Sequence, residues 1–276
     1  MSKVMAKASK RPAKKPFAPR LPDSLSAKRK GDIAILRLSR PQKRNAIDDT
    51  LVLGIETFFR ALPKDIKAVV IHGQGEHFSA GLDLSELTER DAPAAVAHSQ
   101  TWHRVFNQIQ FGRVPVVAVL HGAVVGGGLE LAAACHLRVA ERSAYYALPE
   151  GSRGIFLGGA GSVRLPRLIG VSRVMELMLT GRTYGAEEGQ SYGLSHVLVD
   201  DGAGLAKGIE LAERVATNAP LSNYAIMHAL PRIAESDPAS GSVTESLMAA
   251  VASSSPEAKS RLKDFLEKRG KKVLRG

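Results

Sequence analysis

Cysteine, aromatic side chains and long apolar runs are all scarce in this chain, and each shortage excludes a class of protein. The one cysteine among 276 residues, Cys135, excludes a disulfide within the chain and fits a reducing compartment. No apolar run approaches the roughly 20 residues of a membrane-spanning helix, and no signal-peptide core follows the N-terminus. The sequence therefore predicts a cytoplasmic protein without a membrane partner.

Positive charge is abundant, but it is concentrated at the two ends of the chain. Residues 1–20 carry seven basic residues and no acidic one, and residues 259–276 carry eight basic and two acidic residues. Because the whole chain has a formal net charge of +11, the part between these ends has a net charge of −2. The body is therefore not a basic nucleic-acid-binding domain. Binding of RNA or DNA through the tails stays open as an alternative, although the tails lack interleaved aromatic residues for base stacking.

The composition predicts a tail, a core and a helical segment. Residues 1–22 mix basic residues with four prolines and show no apolar periodicity, so we expect a disordered basic tail. Such acid-poor composition also occurs in organelle transit peptides, but the prolines would interrupt a long amphipathic helix. The remainder is long enough for one large α/β domain, with a core over residues 23–200 and a C-terminal helical segment over residues 201–276.

Apolar periodicity alternates between strand and helix through most of the core. The pattern predicts strands over residues 32–39, 67–72, 114–120, 137–139 and 145–148. It predicts a helix capped by Asp48 or Asp49 and further helices over residues 91–112, 158–169 and 171–179. Beyond about Val199 it predicts helices alone, over residues 203–216, 225–230, 242–253 and 260–269.

A glycine-rich turn between the 114–120 strand and the next helix is the most informative stretch. The chain turns through Gly126, Gly127 and Gly128, and an Ala/Leu-rich helix follows with Glu130 in its first turn. Free N–H groups at a helix start favour negative charge and are able to stabilise an oxyanion, although glycine clusters also serve close packing. The spacing does not match the Rossmann fingerprint, because Leu131 stands where a third glycine is needed, and no Gly-Lys-Ser/Thr follows for a Walker A loop.

Two further stretches carry weaker signals when each is considered alone. In residues 77–86, Gly81 would let the N–H of Leu82 face a ligand, but Gly-rich loops are common. Glu150 ends the 145–148 strand region and precedes a glycine turn, which would let its carboxylate face a cleft or simply solvent. Trp102 and His103 fit packing or rim positions better than ligand positions.

Five short motifs, taken in order, resemble the enoyl-CoA hydratase/isomerase superfamily, also called crotonases. The motifs are Arg40-Pro41 with Asn45-Ala46, Phe78-Ser79-Ala80-Gly81-Leu82-Asp83-Leu84, Gly126-Gly127-Gly128-Leu129-Glu130-Leu131-Ala132, Leu148-Pro149-Glu150 with Gly154, and Leu179-Thr180-Gly181-Arg182. The resemblance covers roughly residues 27–270. It implies a crotonase-like spiral of ββα units, a C-terminal helical segment that drives trimerisation, and assembly as a homotrimer or hexamer.

The resemblance also implies a CoA thioester substrate and a set of site residues. The N–H groups of Leu82 and Gly127 would form an oxyanion hole for the thioester oxygen. Glu130 would act chiefly as the base that activates water, and Glu150 would supply a proton to Cα. CoA would lie against Arg44, Ala46, Ala80, Asp83 and Leu84, with Lys43, Arg44 or the basic C-terminus meeting its phosphates. No metal and no separate cofactor are expected, because CoA is part of the substrate.

The expected activity is hydration of a trans-2-enoyl-CoA to a 3-hydroxyacyl-CoA. A base, an acid and an oxyanion site are what this reaction needs. We expect Glu130, beside a helix N-terminus, to ionise readily and a more buried Glu150 to hold a proton. An isomerase, a hydratase/lyase for an aromatic acyl-CoA, and a scaffold without chemistry are the alternatives. The chain departs from the family at His136, where relatives commonly carry Asp, and at Leu157, where a proline is usual.

Overall fold

The computed structural model describes residue 17 and residues 19–86 and 89–267, and within them the strands form two sheets. The larger sheet has the order β1-β2-β3-β4-β6-β9 and the smaller sheet has the order β5-β7-β8. All neighbours are parallel except the pairs β1–β2 and β7–β8. The strands are β1 Leu25–Lys30, β2 Ile33–Leu38, β3 Ala68–Gly73, β4 Val116–Leu120, β5 Ala123–Val125, β6 Leu137–Glu141, β7 Tyr145–Ala147, β8 Tyr184–Gly185 and β9 Val197–Val199.

Eleven helices accompany the sheets in the described part of the chain. They are α1 Asp49–Arg60, α2 Ala92–Gln110, α3 Gly127–Ala134, α4 Gly161–Ile169, α5 Val171–Thr180, α6 Ala186–Tyr192, α7 Gly204–Ala216, α8 Pro220–His228, α9 Leu230–Ile233, α10 Pro238–Ser254 and α11 Pro256–Leu266. As expected, Asp48 caps α1, since its side chain accepts a 2.7 Å hydrogen bond from the N–H of Leu51.

The chain repeatedly places one strand in each sheet and then a helix. β4 lies in the larger sheet and β5 in the smaller one before α3 begins, and β6, β7 and α4 repeat that order. The expected spiral of ββα units is therefore confirmed. The apolar strands β3 and β4 are buried along their whole length, or nearly so, as is typical of central parallel strands. Residues from the turns before α2, α3 and α4 line one cavity, so these turns lie close together.

Two apolar clusters form the core on either side of the larger sheet. The main cluster joins the sheet to α1, α2 and α3 and contains large buried side chains such as Phe58, Phe106 and Tyr146. The second cluster joins the other face of the sheet to α7, which buries Ala212 against it. α7 therefore covers the core sheet although it lies beyond residue 200, and the 200/201 boundary stays a prediction.

Several short elements were not predicted from the sequence. β1 is polar and has a single buried residue, Leu25, because it lies at the edge of the sheet. β5 and β9 have only three residues each, so neither shows a period. Residues 220–233 form two helices, α8 and α9, where one shorter helix was predicted.

The basic ends lie mostly outside the described residues. The predicted disordered tail includes residues 1–16 and 18, and the basic C-terminus includes residues 268–276, all outside them. Phe17, by contrast, is buried and packs edge-on against Phe58 with ring centroids 5.5 Å apart. Phe17 therefore differs from what was expected of the tail, because its aromatic ring packs in the core. No helix within the described ranges is long and apolar enough to cross a membrane.

Candidate active site

Two glycines with positive φ bring the predicted oxyanion amides together. Gly81 has φ +88° and Gly126 has φ +51°, a region that L side chains rarely adopt. A Cβ on Gly81 would lie 2.6 Å from the carbonyl oxygen of Val125 and 3.2 Å from the amide nitrogen of Gly127. The two turns thus touch, and only glycine fits at the point of contact.

The amide groups that follow these glycines, those of Leu82 and Gly127, line one cavity of about 310 Å³. Neither N–H donates to an acceptor among the residues that the structure describes. Gly127 is the first residue of α3, so its N–H is one that the helix leaves free and that carries part of the helix dipole. A pair of free donors in one cavity is able to stabilise a developing oxyanion.

Glu130 reaches the same cavity from the first turn of α3. Its side chain is buried, with 3% exposed, and its Oε1 accepts hydrogen bonds from the N–H groups of Gly159 at 2.8 Å and Gly161 at 2.7 Å. Burial raises the pKa of Glu130, and the two N–H groups and the Arg164 guanidinium act in the opposite direction. The carboxylate is therefore held in place through its Oε1 atom.

Glu150 reaches the cavity from the turn after β7 and has no such support. Its side chain is buried, with 7% exposed, and no described residue lies within hydrogen-bonding distance of its Oε2. Burial, together with the nearby charge of Glu130, raises the pKa of Glu150 to about 7. Glu150 thus exchanges a proton near neutral pH, as a general acid or base requires.

The expected order of burial for the two glutamates was wrong. Glu130, with 3% exposed, is more buried than Glu150, with 7% exposed. The reason is the Gly158–Gly161 loop, which closes over Glu130 so tightly that a Cβ on Gly161 would lie 2.6 Å from Glu130 Cγ. Burial therefore opposes ionisation at both positions, and the backbone N–H groups oppose this effect at Glu130.

Aromatic and polar side chains complete the wall of the cavity. Trp102 is 4% exposed, and its indole N–H donates to Asp49 Oδ1 at 3.2 Å, as does His98 Nε2 at 2.8 Å. The sequence predicted Trp102 as a packing or rim residue, and it lies in the wall. The segment after Glu150, which the resemblance implies borders the acyl pocket, contributes Ile155, Phe156, Leu157, Gly158 and Gly159 to the wall. The remaining wall residues, which were not predicted, are Arg90, Ala95, His98 and Ser99.

A separate groove of about 410 Å³ contains all five residues that were predicted to contact CoA. It is lined by Gln42, Lys43, Arg44, Ala46, Ala80, Leu82, Asp83, Leu84 and Arg153. Leu82 lines both this groove and the cavity, so the two spaces meet at the predicted oxyanion amide. Their roles stay predictions, but the geometry would let a long ligand lie in the groove and place its reactive end in the cavity.

A buried asparagine and a buried aspartate build the groove. Asn45 Oδ1 accepts from the N–H of Arg40 at 2.9 Å, and its Nδ2 donates to backbone carbonyls of the segment 74–77. Asp83 binds Lys43 Nζ and Arg40 Nη2, each at 2.8 Å, and the Lys43 ammonium above all holds the pKa of Asp83 well below its usual range.

These contacts separate the basic residues of the groove into two kinds. Lys43 is bound to Asp83, whereas Arg44 and Arg153 form no ion pair with any described residue. Arg44 was one of the predicted phosphate contacts, and Arg153 was missed. No local sequence pattern identifies Arg153 as a groove residue. Its position three residues after Glu150, in a turn already assigned to the site, was the one available indication. No group of three or more potential metal ligands occurs within the described ranges.

Comparison with known proteins gives consistent matches over nearly the whole chain. A family model described as enoyl-CoA hydratase/isomerase matches residues 28–273. The 2,3-dehydroadipyl-CoA hydratase of Escherichia coli is 30% identical over 247 residues, which cover 89% of this chain and 96% of that protein. The short-chain-enoyl-CoA hydratase of Clostridium acetobutylicum is 28% identical over 87% of this chain and 94% of that protein.

Solved structures agree with these matches. A Rhodopseudomonas palustris crystal structure, provisionally assigned as an enoyl-CoA hydratase, is 58% identical with a TM-score of 0.87 and covers 89% of this chain and 95% of its own. The enoyl-CoA hydratase of Bacillus anthracis is 28% identical with a TM-score of 0.83 and covers 90% of this chain and 98% of its own.

Proposed function

Because the chain belongs to the enoyl-CoA hydratase/isomerase family, we propose that it adds water to a trans-2-enoyl-CoA and forms a 3-hydroxyacyl-CoA. The observation that carries this proposal is the meeting of two buried glutamates and two free amides in one cavity. Glu150 Oε2 in particular has no partner among the described residues, which is costly unless a water or a substrate binds there.

The proposed mechanism divides the work among four groups. The N–H groups of Leu82 and Gly127 bind the thioester oxygen. These hydrogen bonds withdraw electron density from the conjugated double bond. Glu130 takes a proton from a water molecule while the oxygen of that water bonds to Cβ. Glu150 gives its proton to Cα as the enolate collapses. Together the two transfers place one water across the double bond, and proton exchange with solvent then returns Glu130 to its charged form and Glu150 to its protonated form.

The pKa of Glu150 supports its part in this division of roles. Glu150, with a pKa raised to about 7, retains a substantial protonated fraction at neutral pH and suits the acid role. Burial raises the pKa of Glu130, and the N–H groups and Arg164 only oppose that rise, so the base role of Glu130 rests on its place in the cavity beside the free amides.

The groove supports CoA as the carrier of the acyl group. A chain lying along Arg44, Ala46, Ala80, Asp83 and Leu84 would bring its thioester to Leu82, where the groove meets the cavity. Arg44 and Arg153, which have no described ion-pair partner, would bind the phosphates of CoA. Both relatives are named as hydratases of CoA thioesters, but the names differ in the acyl group. A panel of enoyl-CoA substrates would therefore identify the acyl class that this chain accepts.

We also propose that the chain assembles as a homotrimer or as two stacked trimers. Helix α10 exposes a stripe of apolar side chains at four-residue spacing, formed by Val243, Leu247 and Val251. Helix α11 exposes Leu262, Phe265 and Leu266. Contiguous exposed apolar surface of this kind is typical of a protein interface.

A spectrophotometric assay tests the proposed reaction. Loss of the enoyl-thioester absorbance is followed with aliphatic and aromatic enoyl-CoAs for the wild type, Glu130→Gln and Glu150→Gln, with Glu245→Gln on exposed α10 as the matched control. We expect one substrate class to react and each site variant to lose two to four orders of magnitude in kcat, since each removes an acid or base. Full activity in either site variant would contradict the mechanism. Absence of any reaction, with CoA thioesters still bound, would favour isomerisation or a scaffold.

A further inference from the structure

Arg164 is a buried cation that holds the loop over Glu130. Its side chain extends from α4 and is 4% exposed. Nη1 donates to the carbonyl of Gly159 at 2.9 Å, Nε donates to Gln110 Oε1 at 2.7 Å and Nη2 donates to Asn107 Oδ1 at 2.7 Å. All three edges of the guanidinium are thus fixed, which only an arginine is able to achieve.

The loop transmits this position to Glu130. Gly159 is bonded from both directions, because its carbonyl accepts from Arg164 while its N–H donates to Glu130 Oε1 at 2.8 Å. Gly161, two residues further on, donates the second hydrogen bond to the same oxygen. A displacement of Arg164 would therefore move both donors of Glu130.

Arg164 also lacks a carboxylate partner of its own. Its three acceptors are two side-chain amides and a backbone carbonyl, all neutral. The cavity of about 530 Å³ on its other side contains one described carboxylate, Glu235, and that is bound to Arg167. An uncompensated buried charge is costly. We therefore infer that the negative charge of Glu130 compensates the positive charge of Arg164.

The other titratable groups near Glu130 leave this pairing in place. Burial lowers the pKa of His103 on α2, which keeps that imidazole neutral at pH 7. Burial raises the pKa of Cys135 on α3 to about 12, which keeps that thiol neutral as well. Glu150, Arg90 and His98 line the same cavity as Glu130 and are also able to carry charge. The charge of Glu150 disfavours ionisation of Glu130, and a positive charge on Arg90 or His98 would favour it.

We propose that Arg164 is a positioning residue that aims Glu130 into the cavity and favours its charged form, by fixing the Gly159–Gly161 donors and by supplying a counter-charge. The proposal rests on the proposed function, in which Glu130 is the base. Arg164 itself touches no reacting atom.

Three substitutions separate charge from position. Arg164→Gln removes both the charge and the planar fork, and Arg164→Lys keeps the charge alone. Gln110→Glu keeps the fold and the Nε contact but places a carboxylate against the guanidinium, so it carries the test even where Arg164→Gln fails to fold. Arg214→Gln, at an exposed position on α7, is the control.

The acid limb of kcat/KM against pH and a ¹³C NMR titration of the Glu130 carboxyl, assigned with Glu130→Gln, are the two readouts. We expect Arg164→Gln and Gln110→Glu to raise the acid limb and the NMR midpoint by about one pH unit, since a nearby opposite charge commonly lowers a carboxyl pKa by one unit or more. Arg164→Lys should keep both midpoints and lose about tenfold in kcat. Arg214→Gln should resemble the wild type.

Unchanged midpoints in Arg164→Gln and Gln110→Glu would overturn the proposal, even with a loss of rate, because a merely structural arginine would lower the rate without moving the titration. The NMR arm needs no turnover. A wild type that hydrates no enoyl-CoA would therefore contradict the proposed function while the titration still decides the role of Arg164.

Discussion

At the scale of single residues, the buried carboxylates of this chain fall into two groups. Glu56 contacts the cationic side chains Arg60 and Arg104, and Asp83 contacts Arg40 and Lys43. Glu130 and Glu150 form no ion pair with a described residue. A buried carboxylate without a cation costs stability, and such costs commonly mark functional sites.

Glu150 gives a pH-dependent prediction for stability. Its folded pKa is raised from 4.5 to about 7, so the folded chain holds a proton that the unfolded chain releases. The stability that this proton contributes is complete below about pH 4.5 and is lost as pH rises through 7. We expect the unfolding free energy of Glu150→Gln minus that of the wild type to rise by up to about 3 kcal/mol between pH 4.5 and pH 8.

Chemical denaturation at a series of pH values measures this difference. Glu245→Gln, which changes an exposed side chain on α10, should show a difference that does not vary with pH. A constant difference for Glu150→Gln would mean that Glu150 titrates like an exposed carboxyl.

Gly126 gives a second prediction, because its turn aims the Gly127 amide. Alanine there would meet both an unfavourable φ of +51° and a Glu150 Oε1 only 2.7 Å from its Cβ. We expect Gly126→Ala to lower kcat by two to three orders of magnitude, as loss of an oxyanion donor does elsewhere. Gly31→Ala is the matched control, since Gly31 has φ +59° and open space around it. It should lose about 1 kcal/mol in stability and keep its activity, and equal activities in the two variants would contradict the role of the turn.

Sequence reasoning identified residues whose role depends on a local turn, and missed those that act from a distance. Leu82 and Gly127 follow glycines, and Glu130 follows a helix start, so each signal lies within a few residues. Arg164 binds Gln110 on α2, and it is linked to Glu130 on α3 by hydrogen bonds through Gly159. Nothing in the sequence around Arg164 predicts this link. The relative burial of Glu130 and Glu150 was wrong for the same reason, because it depends on the packing of a loop from another unit.

At the scale of elements, apolar patterns predicted the long helices and the central strands and failed at the edges. β3 and β4 are buried throughout or nearly so, and their β-branched runs are visible in the sequence. β1 at the sheet edge is mostly polar, and the two-residue β8 is too short for any periodicity. A strand that forms because it pairs with a neighbouring strand, rather than because of its own composition, is not predicted by apolar patterns.

The groove formed by the 42–46 and 80–84 segments gives a third prediction. The double variant Arg44→Gln/Arg153→Gln removes the two groove cations that have no described partner. We expect KM for a CoA thioester to rise roughly three- to tenfold with little change in kcat, because exposed charge contacts each contribute about 1 kcal/mol or less.

A shortened thioester shows whether phosphate binding is responsible. An N-acetylcysteamine thioester carries no phosphates, so its KM should not change in the double variant. Arg214→Gln, an exposed position on α7, controls for a general change in charge. An equal rise in KM for both thioesters would mean that the arginines support the acyl end of the site instead.

At the scale of the whole molecule, the exposed stripe on α10 predicts self-association. Leu247 is 60% exposed at the centre of this stripe. We expect light scattering after size exclusion to give three or six times the chain mass for the wild type and a smaller mass for Leu247→Glu, since a buried charge disfavours an apolar interface. Ser246→Glu introduces the same charge at the adjacent exposed position and should keep the wild-type mass. A monomeric wild type would contradict the proposed assembly.

Isotope incorporation distinguishes hydration of the double bond from its migration. The enzyme is given a trans-2-enoyl-CoA in H₂¹⁸O, and the product is analysed by mass spectrometry with fragmentation at C3. The paired-glutamate account predicts one ¹⁸O on C3 and, in D₂O, one deuterium on C2. A product that contains no solvent oxygen, and whose double bond has moved instead, would contradict hydration and assign the two glutamates to proton transfer alone.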